Sequence, residues 1–301
     1  MSKLEHRTYR VGDLITDYRR GLLVIPEFQR DYVWKPAKAP LLLDSLYHHF
    51  PVSSLLVWES DGEAVKSRRV DPRRASGPRA NWLIDGQQRV ITLARIKTGD
   101  EGIDVVFHAG REEFARVNAA TRKEPGWYRL AEIWDDEGIR RLRRVIDDDK
   151  LLARIERVHG ILSYEVPSVH MVDHQFDDAV KAFTRINTLG VKLKTQDIES
   201  AQVAARHSGF ILEHVTPTVK KLHDEGYGRI DVGHLFRACA FLAHPDGRRK
   251  TPLHELSTAD VKSAWGRTLK GLNERRRSCT TSWGSRAPPS FRRGRCSFPP
   301  S

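Results

Sequence analysis

The chain has 301 residues, 39% hydrophobic and 30% charged, with a formal net charge of +12. Seven Trp and eleven Phe can fill a real core, which excludes an intrinsically disordered chain; Cys239, Cys279 and Cys296 are too few and too scattered for a disulfide framework or a zinc site. No apolar run approaches the roughly 20 residues of a membrane span and no signal peptide precedes Leu4, so a cytoplasmic protein without a membrane partner is expected.

In chain order, "VGDLITDY" reads as a short helix from Val11 to Tyr18, followed by a turn at Gly21 and a strand Leu22–Ile25. Pro26 closes that strand because it cannot donate to a ladder. The stretch "KPAKAPLLLDSLYHHF" places apolar residues at 42, 43, 46, 47 and 50, the stripe of an amphipathic helix. "PVSSLLVWES" reads as a strand, and the polar, arginine-rich residues 60–80 as a surface loop or a nucleic-acid contact. "WLIDGQQRVITLARI" begins as a buried strand, breaks at Asp-Gly and continues as a helix; "IDVVFHA" is a further short strand. From Ile139 the pattern is mostly helical, with "RRLRRVIDDDKLLARIERVHGILS" as one long charged helix and "YEVPSVHMV" as a β-like interruption. Residues 176–208 read as two helices around a turn, Gly190 supplying the left-handed conformation and Thr195 the next N-cap. Further helices run to about Leu272. From Glu274 to Ser301 seven arginines (Arg275, Arg276, Arg277, Arg286, Arg292, Arg293, Arg295) face one glutamate, half the net charge of the chain. Without periodicity, this tail reads as disordered, and its abrupt composition resembles a slip of reading frame.

Three stretches carry residues suited to chemistry. In "LIDGQQR", Asp85 ends a strand and can hold Mg²⁺ alongside phosphates and water. Gly86 admits a ligand close to the backbone, and the helix opening at Gln87 presents N–H groups and its positive dipole end. Arg89 can fork onto phosphate, and Gln87 or Gln88 can orient a water. The plain alternative has Asp85 capping the helix and Arg89 in a surface ion pair. In "IPEFQRDYVW", Gln29 and Arg30 enter a loop followed by Tyr32 and Trp34, either base-stacking groups or packing. In "FTRINTLG", Asn187 and Thr188 either reach a ligand or belong to a plain helical hairpin. A P-loop is absent, His48 and His49 lack a metal-ligand spacing, and "LEHVTP" lacks the asparagine that a His–Asn nuclease motif requires.

Taken together and in this order, "VIPEFQRDYVW", "LLLDSLYHHFPVSSLLVW", "WLIDGQQRVITL" and "AFTRINTLGVKLKTQDI" resemble the N-terminal domain of GmrSD-type restriction systems over roughly residues 8–205. The resemblance implies an α+β fold with a ParB/sulfiredoxin-like mixed sheet. The implied divisions are a core at 8–110 carrying the QR and DGQQR motifs, a mainly helical remainder at 111–205, a helical continuation at 206–272 and the tail at 273–301. It further implies nucleoside triphosphate binding and hydrolysis with Mg²⁺, coupled to recognition or cleavage of modified DNA. The motif residues fall on Gln29, Arg30, Asp85, Gly86, Gln87, Gln88 and Arg89: Asp85, Gln87, Gln88 and Arg89 catalytic, Gln29, Arg30, Gly86 and Arg89 on the nucleotide, Asp85 on the metal. Such domains often precede a separate nuclease domain. Here the chain changes character first, so a nuclease supplied by a partner subunit or a missing C-terminal domain is expected. A non-catalytic DNA-binding or nucleotide-sensing module stays open beside this reading, as does an inactive remnant.

Overall fold

A computed structural model describes residues 2–27, 29, 32–60, 67–68, 80–189, 195–244 and 251–283. Within them the chain runs β1 (Lys3–Arg10), α1 (Val11–Arg20), β2 (Leu23–Pro26), α2 (Lys38–Tyr47), β3 (Leu55–Ser60), β4 (Ser67–Arg68), β5 (Ala80–Asp85) and α3 (Gln87–Thr98). There follow β6 (Val105–His108), β7 (Glu113–Arg116), α4 (Ala119–Lys123), β8 (Trp127–Arg129), α5 (Leu130–Ile133), α6 (Asp136–Val145), α7 (Asp149–Gly160) and β9 (Glu165–Val172). The rest is helical: α8 (Phe176–Leu189), α9 (Thr195–Arg206), a π-helical turn Ile211–Val215, α10 (Thr216–Asp224), α11 (Val232–Ala243) and α12 (Thr258–Trp283). The fold is α+β: mixed sheet and helices, then a mostly helical region.

Two compact units result. The first comprises Met1–Pro26, Arg30–Glu63 and Ser67–Ala179. Its main sheet has the order β1-β9-β3-β5-β2-β4, with β9–β3 and β5–β2 parallel and the other neighbours antiparallel. Alternation along the strands sends Leu23, Ile25, Leu55, Val57, Leu83 and Val166 into one core with Val11, Leu14, Leu43, Leu46, Val90 and Leu93 from α1, α2 and α3. Trp58 and Trp82 point the other way, where Trp58 packs on Phe176 and donates Nε1–H to His174 O at 2.8 Å. A smaller sheet, β7-β6-β8, adds Phe107 and Phe114 around the buried Tyr47. The second unit comprises Glu27–Gln29, Ala64–Lys66 and Val180–Ser301. Its described helices bury Val203, Phe210, Ile211, Leu235, Phe236, Leu253, Val261 and Trp265.

Helix ends follow local chemistry. Gly21, at φ +75°, closes α1 and its N–H donates to Tyr18 O. The long charged helix expected after Ile139 is two helices, because Asp148 takes the N-cap of α7 and accepts from the N–H groups of Lys150 and Leu151. Helix α2 ends at Tyr47, so the last apolar residue of the predicted stripe, Phe50, falls in a loop. The β-like "YEVPSVHMV" is a strand inside the main sheet, between β1 and β3. Strand β1 was not expected from the sequence: its burial is mostly polar and exposed, as an edge strand allows. The backbone of α12 continues to Trp283, so the change of composition at 273 does not end the helix. Gly190 and residues 284–301 lie outside the described residues. Among the described residues no helix is long and apolar enough to cross a membrane.

Candidate functional site

The strand–helix break is built by burial on one side and a single glycine at the corner. Leu83 and Ile84 anchor the end of β5 in the core. Gly86 then adopts φ +97°, and a Cβ there would collide with Leu55 Cδ2 and lie 3.0 Å from the Arg89 guanidinium. Only glycine meets both demands. Gly86 is also the N-cap of α3, and no side chain caps that helix. Asp85 is therefore not spent on capping. Its side chain is 41% exposed, with Arg89 3.7 Å away. The first turn of α3 holds no acidic residue, so no carboxylate within the helix offsets its dipole.

Arg89 is occupied by backbone. Nη1 donates to the carbonyls of Val52 and Ser53, Nη2 to Ser54 O at 2.6 Å, and the side chain is only 12% exposed. Three successive carbonyls converge in this way because Ser53 sits at φ +68°, a left-handed conformation that L-residues disfavour. Burial lowers the guanidinium pKa, and the Asp85 carboxylate works against that shift.

Gln88 is engaged as well. Its Oε1 accepts from Val33 N at 2.9 Å and Trp34 N at 3.1 Å, fixing the segment just beyond the QR motif. The Gln88 carbonyl accepts from Thr92 Oγ1 at 2.6 Å, and Thr92 in turn lies 2.9 Å from the Tyr32 hydroxyl. Arg95 lies over the Tyr32 ring at 5.0 Å and Lys38 over Trp34 at 5.3 Å, so each aromatic has a cation on one face. Gln87, also buried, occupies the first turn beside Gln88.

Gln29 is 2% exposed, in the second compact unit, while Arg30 lies outside the described residues. So do residues 61–66 and 69–79 of the arginine-rich loop and the side chains of Asn187 and Thr188. His48 Nδ1–H donates to Asp44 O at 3.0 Å and its ring stacks on Phe50; His49 stacks on Tyr164. His214 of "LEHVTP" packs against Phe210 in the π-helical turn. Sequence reasoning passed over Glu27: fully buried within the second unit, its carboxylate accepts from Gly209 N at 2.8 Å and Leu212 N at 3.4 Å. A glutamate directly after a strand-ending proline carries no signal for such a long-range partner. Ser53 was equally silent, since its conformation depends on Arg89.

The donor set at this corner fits Mg²⁺. Among the described residues no cluster of three His, Cys, Asp or Glu side chains forms a protein cage. A single exposed, uncapped carboxylate is the protein share that Mg²⁺ takes when phosphates and water supply the other ligands. Comparison with protein families gives a match of residues 11–204 to the GmrSD restriction endonuclease, N-terminal domain. Comparison with curated proteins gives no match.

Proposed function

This chain belongs to the GmrSD restriction endonuclease N-terminal domain family and so to a restriction system, and we propose that it binds and hydrolyses nucleoside triphosphates with Mg²⁺. The carrying observation is the state of Asp85: at the end of β5, relieved of helix capping by Gly86, and exposed beside the N-terminus of α3. Asp85 would hold the metal, which supplies charge neutralisation at the β- and γ-phosphates. The opening N–H groups of α3 and its dipole bind phosphate oxygens.

The contacts of the other candidates support a different division of roles. With its nitrogens on Val52, Ser53 and Ser54, Arg89 acts as a positioning residue that shapes the rim rather than as a phosphate ligand. Gln88 positions the segment at Val33 and Trp34, and Gln87 is the glutamine assigned to orient the attacking water. Positioning and charge stabilisation are most of what phosphoryl transfer asks of a protein. In the cell this activity is coupled to DNA and to a nuclease in the same system.

Phosphate release from each of the four ribonucleoside triphosphates, with Mg²⁺ and with or without DNA, tests the reading. Turnover by the native protein and none by Asp85→Asn supports it; equal turnover in both refutes it. Tight nucleotide or DNA binding without turnover in the native protein favours the sensing module instead.

A further inference from the structure

We propose that the second, helical unit pairs with a second copy of this chain through a two-fold interface at the pocket between α9 and α11, each copy seating its Phe241 in the pocket of the other. The pocket has a volume of about 580 Å³ and is walled by α9, α11 and the 3₁₀ turn Leu253–Glu255. Its lining is mainly apolar, with Val203, Phe236 and Leu253 otherwise buried. Single exposed apolar residues are ordinary, but Phe241 is not isolated. It lines this pocket and is 60% exposed, so ring and pocket form one continuous apolar surface open to solvent.

The charges beside the pocket indicate what covers it. Glu199 on α9 and Arg237 on α11 both line it, and among the described residues neither lies within ion-pair distance of an opposite charge. Asp231, the carboxylate whose pKa Arg237 helps to lower, is already bonded to His234 at 2.7 Å. A wholly apolar partner would leave both charges unanswered, and a partner of one sign would be repelled by one of them. The complement is an exposed aromatic flanked by one cation and one anion, which describes this same surface. Such self-complementarity is what a two-fold interface requires. The spacing agrees: Arg237 and Phe241 are four residues apart on α11, as are Glu199 and Val203 on α9, about 6 Å in each case. In the register where Phe241 meets Val203 of the second copy, Arg237 meets its Glu199, and the symmetry makes both contacts twice. The buried ring then supplies most of the affinity and the charge pairs fix the register.

Sedimentation velocity on the full chain over a concentration series tests the pairing. The native protein should shift from monomer to dimer with rising concentration, and Phe241→Ser should raise the dissociation constant roughly tenfold or more. Because Phe241 is largely exposed, that variant should melt as the native protein does. Arg237→Glu and Glu199→Arg should each weaken the dimer, by about fivefold or more, and the double exchange should recover most of the loss, which a mere loss of stability cannot do. A native chain that stays monomeric at every concentration overturns the proposal, as does a dimer equally tight in Phe241→Ser. A double exchange no tighter than the single variants overturns the pairing of Arg237 with Glu199 and with it the register.

Discussion

Replacing Arg89 by alanine separates an architectural arginine from a phosphate-binding one. The substitution removes three charge-assisted hydrogen bonds, one to the part-buried Val52 carbonyl and two to the exposed carbonyls of Ser53 and Ser54. A bond to a charged group contributes about 1.5–3 kcal/mol where water cannot replace it and about 0.5–1 kcal/mol where it can, which sums to about 3 kcal/mol here. For a chain of this size that is a fall in Tm of roughly 6–12 °C. Arg89→Lys should recover little, because one ammonium group cannot fork across three carbonyls. Thermal unfolding followed by tryptophan fluorescence measures the loss, and amide exchange at residues 52–54 localises it. If Arg89→Ala melts within a degree of the native protein yet loses nucleotide binding, the clamp is not what the arginine is for.

Gly86→Ala should cost about 2–4 kcal/mol, combining a left-handed alanine with a collision against Leu55; an unchanged urea midpoint would contradict the corner geometry. Gln88→Ala strips the acceptor from Val33 N and Trp34 N and should cost about 1–3 kcal/mol, with faster amide exchange at those two positions, whereas Gln88→Glu keeps the acceptor and most of the stability. The half-buried His159 and the buried His170 and His207 all have pKa values below the ordinary 6.5, desolvation being the leading cause. Because the unfolded chain protonates first, their contribution to stability is complete above 6.5 and is lost as pH falls through the folded-state values. Melting temperature should therefore drop between about pH 7 and pH 5, less steeply in His207→Gln; a rise on acidification would refute the assignment.

The elements that announce themselves by pattern were legible before the structure. The stripe through Leu42, Leu43, Leu46 and Tyr47, the strand ending at Asp85 and the helix opening at Gln87 all lie where periodicity and the Asp-Gly break put them. Edge strand β1 was hidden because a strand exposed on much of its surface has no alternation to display. At the site, the strand–helix corner was legible in the sequence, but not the partners that Arg89 and Gln88 take there. Nothing local distinguishes an arginine bound for solvent from one bound for three carbonyls a strand away. The engagement of Gln88 with Val33 and Trp34 likewise joins positions more than fifty residues apart. Asp85 shows the reverse case: capping by Asp85, the plain expectation, is set aside by one glycine at the N-cap.

The most direct test of the central claim is the Mg²⁺ dependence of nucleotide binding, measured by titration calorimetry on the native protein and on Asp85→Asn. The expected result is binding to the native protein with Mg²⁺ that weakens at least tenfold in EDTA, and a variant that binds equally weakly in both conditions while melting as the native protein does. Binding that is indifferent to Mg²⁺, or unchanged by Asp85→Asn, would contradict the assignment of Asp85 to the metal.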